Sequence, residues 1–227
     1  MKSPSELRIP LEAGATTALA YTADSSAFGA LVLGHGAGAG QRSTFMVQFA
    51  RAISALGVDV VTFNFPYMEQ RRRIPDRAPV LEACYRSVIA SVHAQLGAPK
   101  RALFIGGKSM GGRIATQVAA ADLTLPIEGL VLLGYPLHPP GRPTERRDKH
   151  LPAVGRPMLF VQGSRDAFGT PAELEPIIGA IRPSASIHVV AGGDHSLKLA
   201  RNDPAAQAAV YDDVQRTMVE WVRTTMS

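Results

Sequence analysis

The stretch Leu103-Phe104-Ile105-Gly106-Gly107-Lys108-Ser109-Met110-Gly111-Gly112-Arg113-Ile114-Ala115 decides how the chain reads. An apolar run ends in glycines, Gly107-Lys108-Ser109-Met110-Gly111 follows, and a small-residue helical pattern comes next. G-x-S-x-G between a strand and a helix is the context of a nucleophile elbow, a turn so tight that the serine backbone is strained. Gly107 and Gly111 lack a Cβ, so neighbouring backbone can approach closely. Ser109 is then expected at the tip with its hydroxyl exposed. The free N–H groups of the helix N-terminus lie behind it and favour developing negative charge.

Taken alone the pattern is weak, because a Gly/Ser turn produces it too. Gly107-Lys108-Ser109 also matches the end of a phosphate loop, G-x-x-x-x-G-K-S. The first glycine of that motif falls where Ala102 stands, inside an apolar strand, which argues against it. The rest of the chain decides for the elbow.

Outward from that stretch a repeated grammar holds. Glu6 to Leu11 and Thr16 to Thr22 read as an antiparallel pair at a sheet edge. Short apolar runs follow at Ala30–Leu33, Val58–Phe63, Ala102–Ile105, Gly129–Leu133, Met158–Val161 and Ile187–Val190, alternating with longer helical patterns. Near-continuous apolar runs imply strands buried on both faces, as in a parallel sheet covered by helices. The helical stripes are Phe45-Phe49-Ile53-Leu56, Leu81-Cys84-Val88-Val92-Leu96, Ile114-Ala115-Val118-Ala119, Leu174-Ile177-Ile178-Ile181 and Val210-Val214-Met218-Trp221. Ser43 or Thr44, Thr170-Pro171 and Asp203-Pro204 are helix starts, and Gly57 is a stop. The fold class is therefore α/β: a doubly wound, mostly parallel sheet of about eight strands. One domain spans 1–227 without linker or repeat, and Tyr135 to Arg156 is too short for a lid domain.

The 227 residues, 46% of them hydrophobic, suffice for one sizeable core. The net charge of +5 comes from local clusters, with no basic stripe interleaved with aromatics, so nucleic-acid binding is not expected. The single cysteine, Cys84, rules out an intrachain disulfide and suits a reducing compartment. Its place on an apolar stripe makes it a buried thiol. Met1 to Glu6 lacks the apolar core of a signal peptide, and no apolar run is long enough to span a bilayer. A cytoplasmic protein without membrane partner is the expectation.

A nucleophilic serine needs a base, and the base needs an orienting acid. Asp166 lies just past the run ending at Gln162, and His195 just past the last run. Ser109, Asp166 and His195 all leave one edge of the sheet, so they can converge. Each alone reads as a turn or surface residue; their coincidence at three strand ends makes them the catalytic candidates. Asp194 competes as the acid but is poorly placed to reach the far ring nitrogen of its neighbour. Oxyanion-hole donors are expected at the backbone N–H groups of Met110 and of Ala37, with Gly36 or Gly38 as alternatives to Ala37, in the loop Gly34-His35-Gly36-Ala37-Gly38-Ala39-Gly40. That loop also fits G-x-G-x-x-A, a dinucleotide fingerprint. Two strands precede it, however, and the next strand closes on Phe63-Asn64 with no acidic residue. His35 is expected to brace the loop.

These motifs resemble the α/β-hydrolase superfamily over nearly the whole chain. Gly34-His35-Gly36-Ala37-Gly38, Gly107 to Arg113, Gly134 to Gly141 and Gly193-Asp194-His195-Ser196 resemble a narrower group. It comprises small hydrolases related to the hydrolase-like domain of a eukaryotic chromatin-complex subunit and to dienelactone-hydrolase-like proteins. The resemblance implies a lidless hydrolase with Ser109, Asp166 and His195 as its triad, and it implies no particular substrate. The triad itself leads to the expectation of a serine hydrolase with no cofactor and no metal, acting on a small-molecule ester or thioester. Dienelactone hydrolases proper carry a cysteine nucleophile, where this chain has Ser109. The chromatin relationship supplies the alternative, a catalytically idle binding or scaffold module on the same fold.

Substrate contacts are less defined. Tyr135 and His138 follow a strand end and are candidates to border the pocket, against the stronger reading of a proline-stiffened structural loop for His138. Arg142, Arg146, Arg147, Lys149 and Arg71-Arg72-Arg73 lie in two loops on one side of the sheet. A solvated basic face explains them more simply than attraction of a substrate anion. Met46, Met68 and Met110 are candidates for apolar pocket wall.

Overall fold

The structure, a computed structural model, describes residues 3–24, 26–95, 101–200 and 203–226. Leu96, the end of the second helical stripe, and Met1-Lys2 lie outside the described residues. The strands are β1 (Ser5–Pro10), β2 (Ala15–Tyr21), β3 (Gly29–Gly34), β4 (Val58–Phe63), β5 (Ala102–Lys108), β6 (Gly129–Leu133), β7 (Met158–Gly163) and β8 (Ala185–Val190). The helices are α1 (Thr44–Ala55), α2 (Pro66–Glu69), α3 (Ala78–Gln95), α4 (Met110–Ala121), α5 (Pro171–Ala180) and α6 (Pro204–Thr225).

All eight strands form one sheet in the order β1-β2-β4-β3-β5-β6-β7-β8. β1 and β2 pair antiparallel and β2 joins β4 antiparallel, whereas the strands from β4 to β8 run parallel. This is the α/β-hydrolase architecture. Side chains alternate across it. Leu31, Leu33, Val131, Leu133, Leu159 and Val161 face α1 and α6, while Val32, Leu130, Leu132, Met158 and Phe160 face α3, α4 and α5. A strand buried on both faces cannot show an alternating polar pattern, which is why the apolar runs look continuous.

β8 departs from that expectation. It is an edge strand, and of its residues only Val190 is buried, with Val189 42% exposed. It has one strand neighbour, and α5 and α6 cover it only in part.

Three local signals behave as their chemistry requires. Asp203 Oδ1 accepts the Ala206 N–H at 3.0 Å and starts α6. Glu173 reaches back to the Thr170 N–H at 2.8 Å to start α5. Gly57, at φ +98°, follows the end of α1. The short helix α2 carries no periodicity and was not foreseen. It brings Glu69 to accept from Thr17 and Asn64, tying the end of β4 to β2. The connection from β6 to β7 holds a single 3-10 turn, Leu151–Ala153, and among the described residues no lid subdomain. No described helix is long and apolar enough to cross a membrane.

Candidate active site

The parallel register sets the site. Gly34 pairs with Gly107, and Gly163 with Val190, so the carboxyl ends of β3, β5, β7 and β8 reach one edge. At that edge β5 turns into α4 through Ser109, whose φ is +50° and ψ −113°. A serine at positive φ is strained, at a cost of order 1–3 kcal/mol. The surroundings hold it there: the Ser109 N–H donates to Leu133 O at 2.9 Å, and Ser109 O accepts the Arg113 N–H at 3.0 Å. The flanking glycines are required by close approach. A Cβ on Gly107 would lie 2.3 Å from Gly34 O, and one on Gly111 2.2 Å from the same atom. β3 therefore presses against both sides of the elbow.

The structure brings Ser109, His195 and Asp166 together. The Ser109 hydroxyl lies 2.8 Å from His195 Nε2, and His195 Nδ1 lies 2.8 Å from Asp166 Oδ2 and 3.0 Å from Oδ1. The carboxylate can only accept, so Nδ1 carries the proton and Nε2 is free to accept from the hydroxyl. Asp166 has no exposed side-chain surface. Its oxygens also accept the Phe168 N–H at 2.8 Å and Gln162 Nε2–H at 2.8 Å. Asp194, the rival acid, instead accepts the N–H groups of Ser196 and Lys198 and shapes the loop under His195.

Three supporting residues escaped the sequence reading. Gln162, the buried penultimate residue of β7, orients Asp166 and accepts the Tyr135 N–H at 2.8 Å. Phe168 stacks on the imidazole, ring centroids 4.1 Å apart. Lys108 extends under the base and donates to His195 O. Burial lowers the Lys108 pKa from 10.5 to about 8, against the pull of Asp166 and Asp194. A polar residue at a strand end beside a glycine was the available signal for Gln162. Nothing in the sequence marks the other two.

The loop after β3 is braced as expected. His35 Nδ1–H donates to Gly36 O at 2.8 Å and Nε2 accepts the Phe65 N–H at 3.1 Å, which requires a neutral ring. Burial lowers its pKa to about 4. Met110 opens α4, so its N–H has no intrahelical partner. Gly36, Ala37, Ser109, Met110 and His195 all line one cavity of about 730 Å³.

Two expected contacts are corrected. Tyr135 is 1% exposed and does not line the cavity; Gly134, at φ +60°, turns the chain inward, and the Tyr135 hydroxyl donates to Arg147 O at 2.7 Å. His138 is also buried away from the cavity. Its Nδ1 meets Pro139 O at 2.9 Å and its Nε2 meets Glu173 Oε1 at 3.1 Å, joining its loop to α5. Pro136 lines the cavity instead. Met46 and Met110 line it and Met68 does not. Of the basic loop residues named from the sequence, only Arg147 reaches it; Arg113, from α4, joins it there. Cys84 is buried, with its thiol pKa pushed up to about 12, which makes it unreactive.

An open, mostly parallel sheet with an elbow serine at its carboxyl edge defines the α/β-hydrolase class. The chain belongs to that family: the family profile described as an alpha/beta hydrolase domain matches residues 28–223. Solved structures agree in fold. An alpha-beta serine hydrolase homologue from Coxiella burnetii is 16% identical, with a TM-score of 0.75 over 97% of this chain and 98% of its own. A dienelactone hydrolase from Anabaena variabilis is 17% identical, with a TM-score of 0.72 over 95% and 97%. A serine hydrolase without a lid from Xanthomonas campestris is 19% identical, with a TM-score of 0.70 over 95% of each chain.

Proposed function

We propose that the chain is a serine hydrolase that cleaves carboxylic esters or thioesters through an acyl-enzyme on Ser109. The observation that carries this reading is the continuous hydrogen-bonded line from the Ser109 hydroxyl through His195 to the buried Asp166, each step at 2.8 Å. Residues 109, 166 and 195 are far apart in sequence, and a scaffold has no need to align them.

Neutral His195 takes the serine proton on Nε2 as Oγ attacks the carbonyl carbon. Asp166 stays ionised, keeps Nδ1 protonated and stabilises the imidazolium. The oxyanion is held by the N–H groups of Met110 and Ala37, the former at the positive end of the 12-residue α4. The leaving oxygen or sulfur departs with the Nε2 proton. A water then loses a proton to His195 and attacks the acyl carbon, releasing the acid and restoring the Ser109 hydroxyl. The strained elbow presents Oγ without a search over rotamers and backbone states.

A fluorophosphonate probe tests this, read by intact mass. Wild type is expected to gain one phosphonyl group, and Ser109→Ala none. No labelling of folded wild type, or labelling that survives Ser109→Ala, would overturn the assignment and favour an idle module.

A further inference from the structure

The cavity carries two guanidinium groups that the hydrolytic steps do not use. Arg113 lies on α4 one turn beyond Ser109, about 6 Å along the helix axis, and Arg147 comes from the loop between β6 and β7. Both are half-buried and both line the cavity that holds Ser109 and His195. They are close enough to feel each other: the Arg113 pKa is lowered first by burial and next by the charge of Arg147.

The charge of Glu82 offsets that repulsion only in part. The nearby acids are each engaged by another arginine: Asp148 by Arg146 at 2.7 Å, Glu82 by Arg86 at 3.4 Å, Glu145 by Arg142 at 3.3 Å, and Asp76 by Arg72. Among the described residues neither Arg113 nor Arg147 has an ion-pair partner, and the Arg113 guanidinium finds only the neutral Gln117 Oε1 at 3.3 Å. His150, which also feels Arg113, has its Nε2 on Thr116 Oγ1 at 2.8 Å; that hydroxyl already donates to Arg113 O, so Nε2 donates and cannot accept from Arg113. The backbone of Arg147 is nonetheless held firmly. Its N–H donates to Leu137 O at 2.8 Å and its carbonyl accepts from Tyr135. Two like charges that line one half-desolvated pocket are unfavourable until an anion binds between them. A guanidinium fork matches a carboxylate with two parallel N–H···O bonds.

We propose that Arg113 and Arg147 form a carboxylate-binding subsite, so that the ester cleaved at Ser109 carries a free carboxylate a few bonds from its scissile carbonyl. The inference rests on the serine-hydrolase reading for the word ester, but the subsite itself does not.

Two substrate pairs test it. Mono-p-nitrophenyl adipate against p-nitrophenyl valerate puts the carboxylate on the acyl half. Para-acetoxyphenylacetate against para-tolyl acetate puts it on the alcohol half. In one pair kcat/KM is expected to favour the acid over the neutral ester by about tenfold or more, mostly through KM, as two charge-assisted bonds imply. Arg147→Gln and, separately, Arg113→Gln are expected to collapse that ratio, and Arg147→Lys to retain part of it. Raising the salt concentration should narrow the ratio in wild type. Equal kcat/KM within both pairs, or a preference that survives both glutamine variants, would overturn the subsite. Calorimetric titration of adipate into Ser109→Ala needs no turnover and so separates the two readings. Binding lost in Arg147→Gln/Ser109→Ala supports the subsite even if Ser109 proves inert; no binding to Ser109→Ala overturns it even if esters are cleaved.

Discussion

Lys108 offers a test with a sign and a size. The residue is 8% exposed, and its ammonium spends one N–H on His195 O. Because burial depresses its pKa from 10.5 to about 8, the folded protein holds this proton less readily than the unfolded chain. Between those values the unfolded chain binds more protons, so folding stability rises with pH across the window. The penalty is fully present below pH 8 and absent above 10.5, and amounts to about 3 kcal/mol. Other groups push the opposite way higher up. Burial raises Cys84 from 9.0 to about 12 and holds Tyr85 and Tyr135 above 10.0, so the unfolded state ionises first and gains. The measurement is therefore a difference: urea unfolding of wild type and Lys108→Met from about pH 7 to about pH 10. At the neutral end the two should lie within about 1.5 kcal/mol, since the relieved penalty offsets a lost charge-assisted bond of about 1.5–3 kcal/mol. Above pH 8 wild type should gain on the variant by about 1.4 kcal/mol per pH unit. Parallel stability curves in the two proteins would refute the argument.

Asp166→Asn leaves a group that no longer fixes the imidazole tautomer. kcat on a p-nitrophenyl ester is expected to fall about a thousandfold to ten-thousandfold with little change in KM. For His35 the folded pKa of about 4 lies below the ordinary 6.5, so its contribution is intact above pH 6.5 and is lost as pH falls toward 4, by up to about 3 kcal/mol. Acid unfolding of His35→Gln should lack that portion of the slope.

Much of this is legible in the sequence, for a reason that also explains what is not. A parallel strand buried on both faces writes itself as an apolar run, and the residue just past it must sit at the sheet's carboxyl edge. Ser109, Asp166 and His195 obey that rule, and the structure brings their side chains together. The rule gives an edge, not a direction. Tyr135 also follows a strand, yet Gly134 at φ +60° turns it into the core. The role of Lys108 depends on a carbonyl 87 residues away, and no local pattern encodes that. β8 reads like the inner strands because composition does not report which strand lies at the edge.

The misplacement of Tyr135 and the proposed carboxylate subsite have a common cause. A tyrosine hydroxyl in the pocket would have been one polar contact among several. Turned inward, the same hydroxyl grips Arg147 O at 2.7 Å and fixes where that residue's backbone stands. Arg113 is fixed independently, on the helix that starts at the elbow. The backbones that carry both charges are thus anchored by elements that shape the cavity. Ser109 is held at a strained φ by the adjoining strands, β6 through Leu133 and β3 through Gly34. A substrate bridging the two guanidiniums would have its reactive carbonyl referred to the same frame as the serine. Anion binding and nucleophile placement then share one rigid base, which is the condition under which remote binding energy can be used at the reacting carbon.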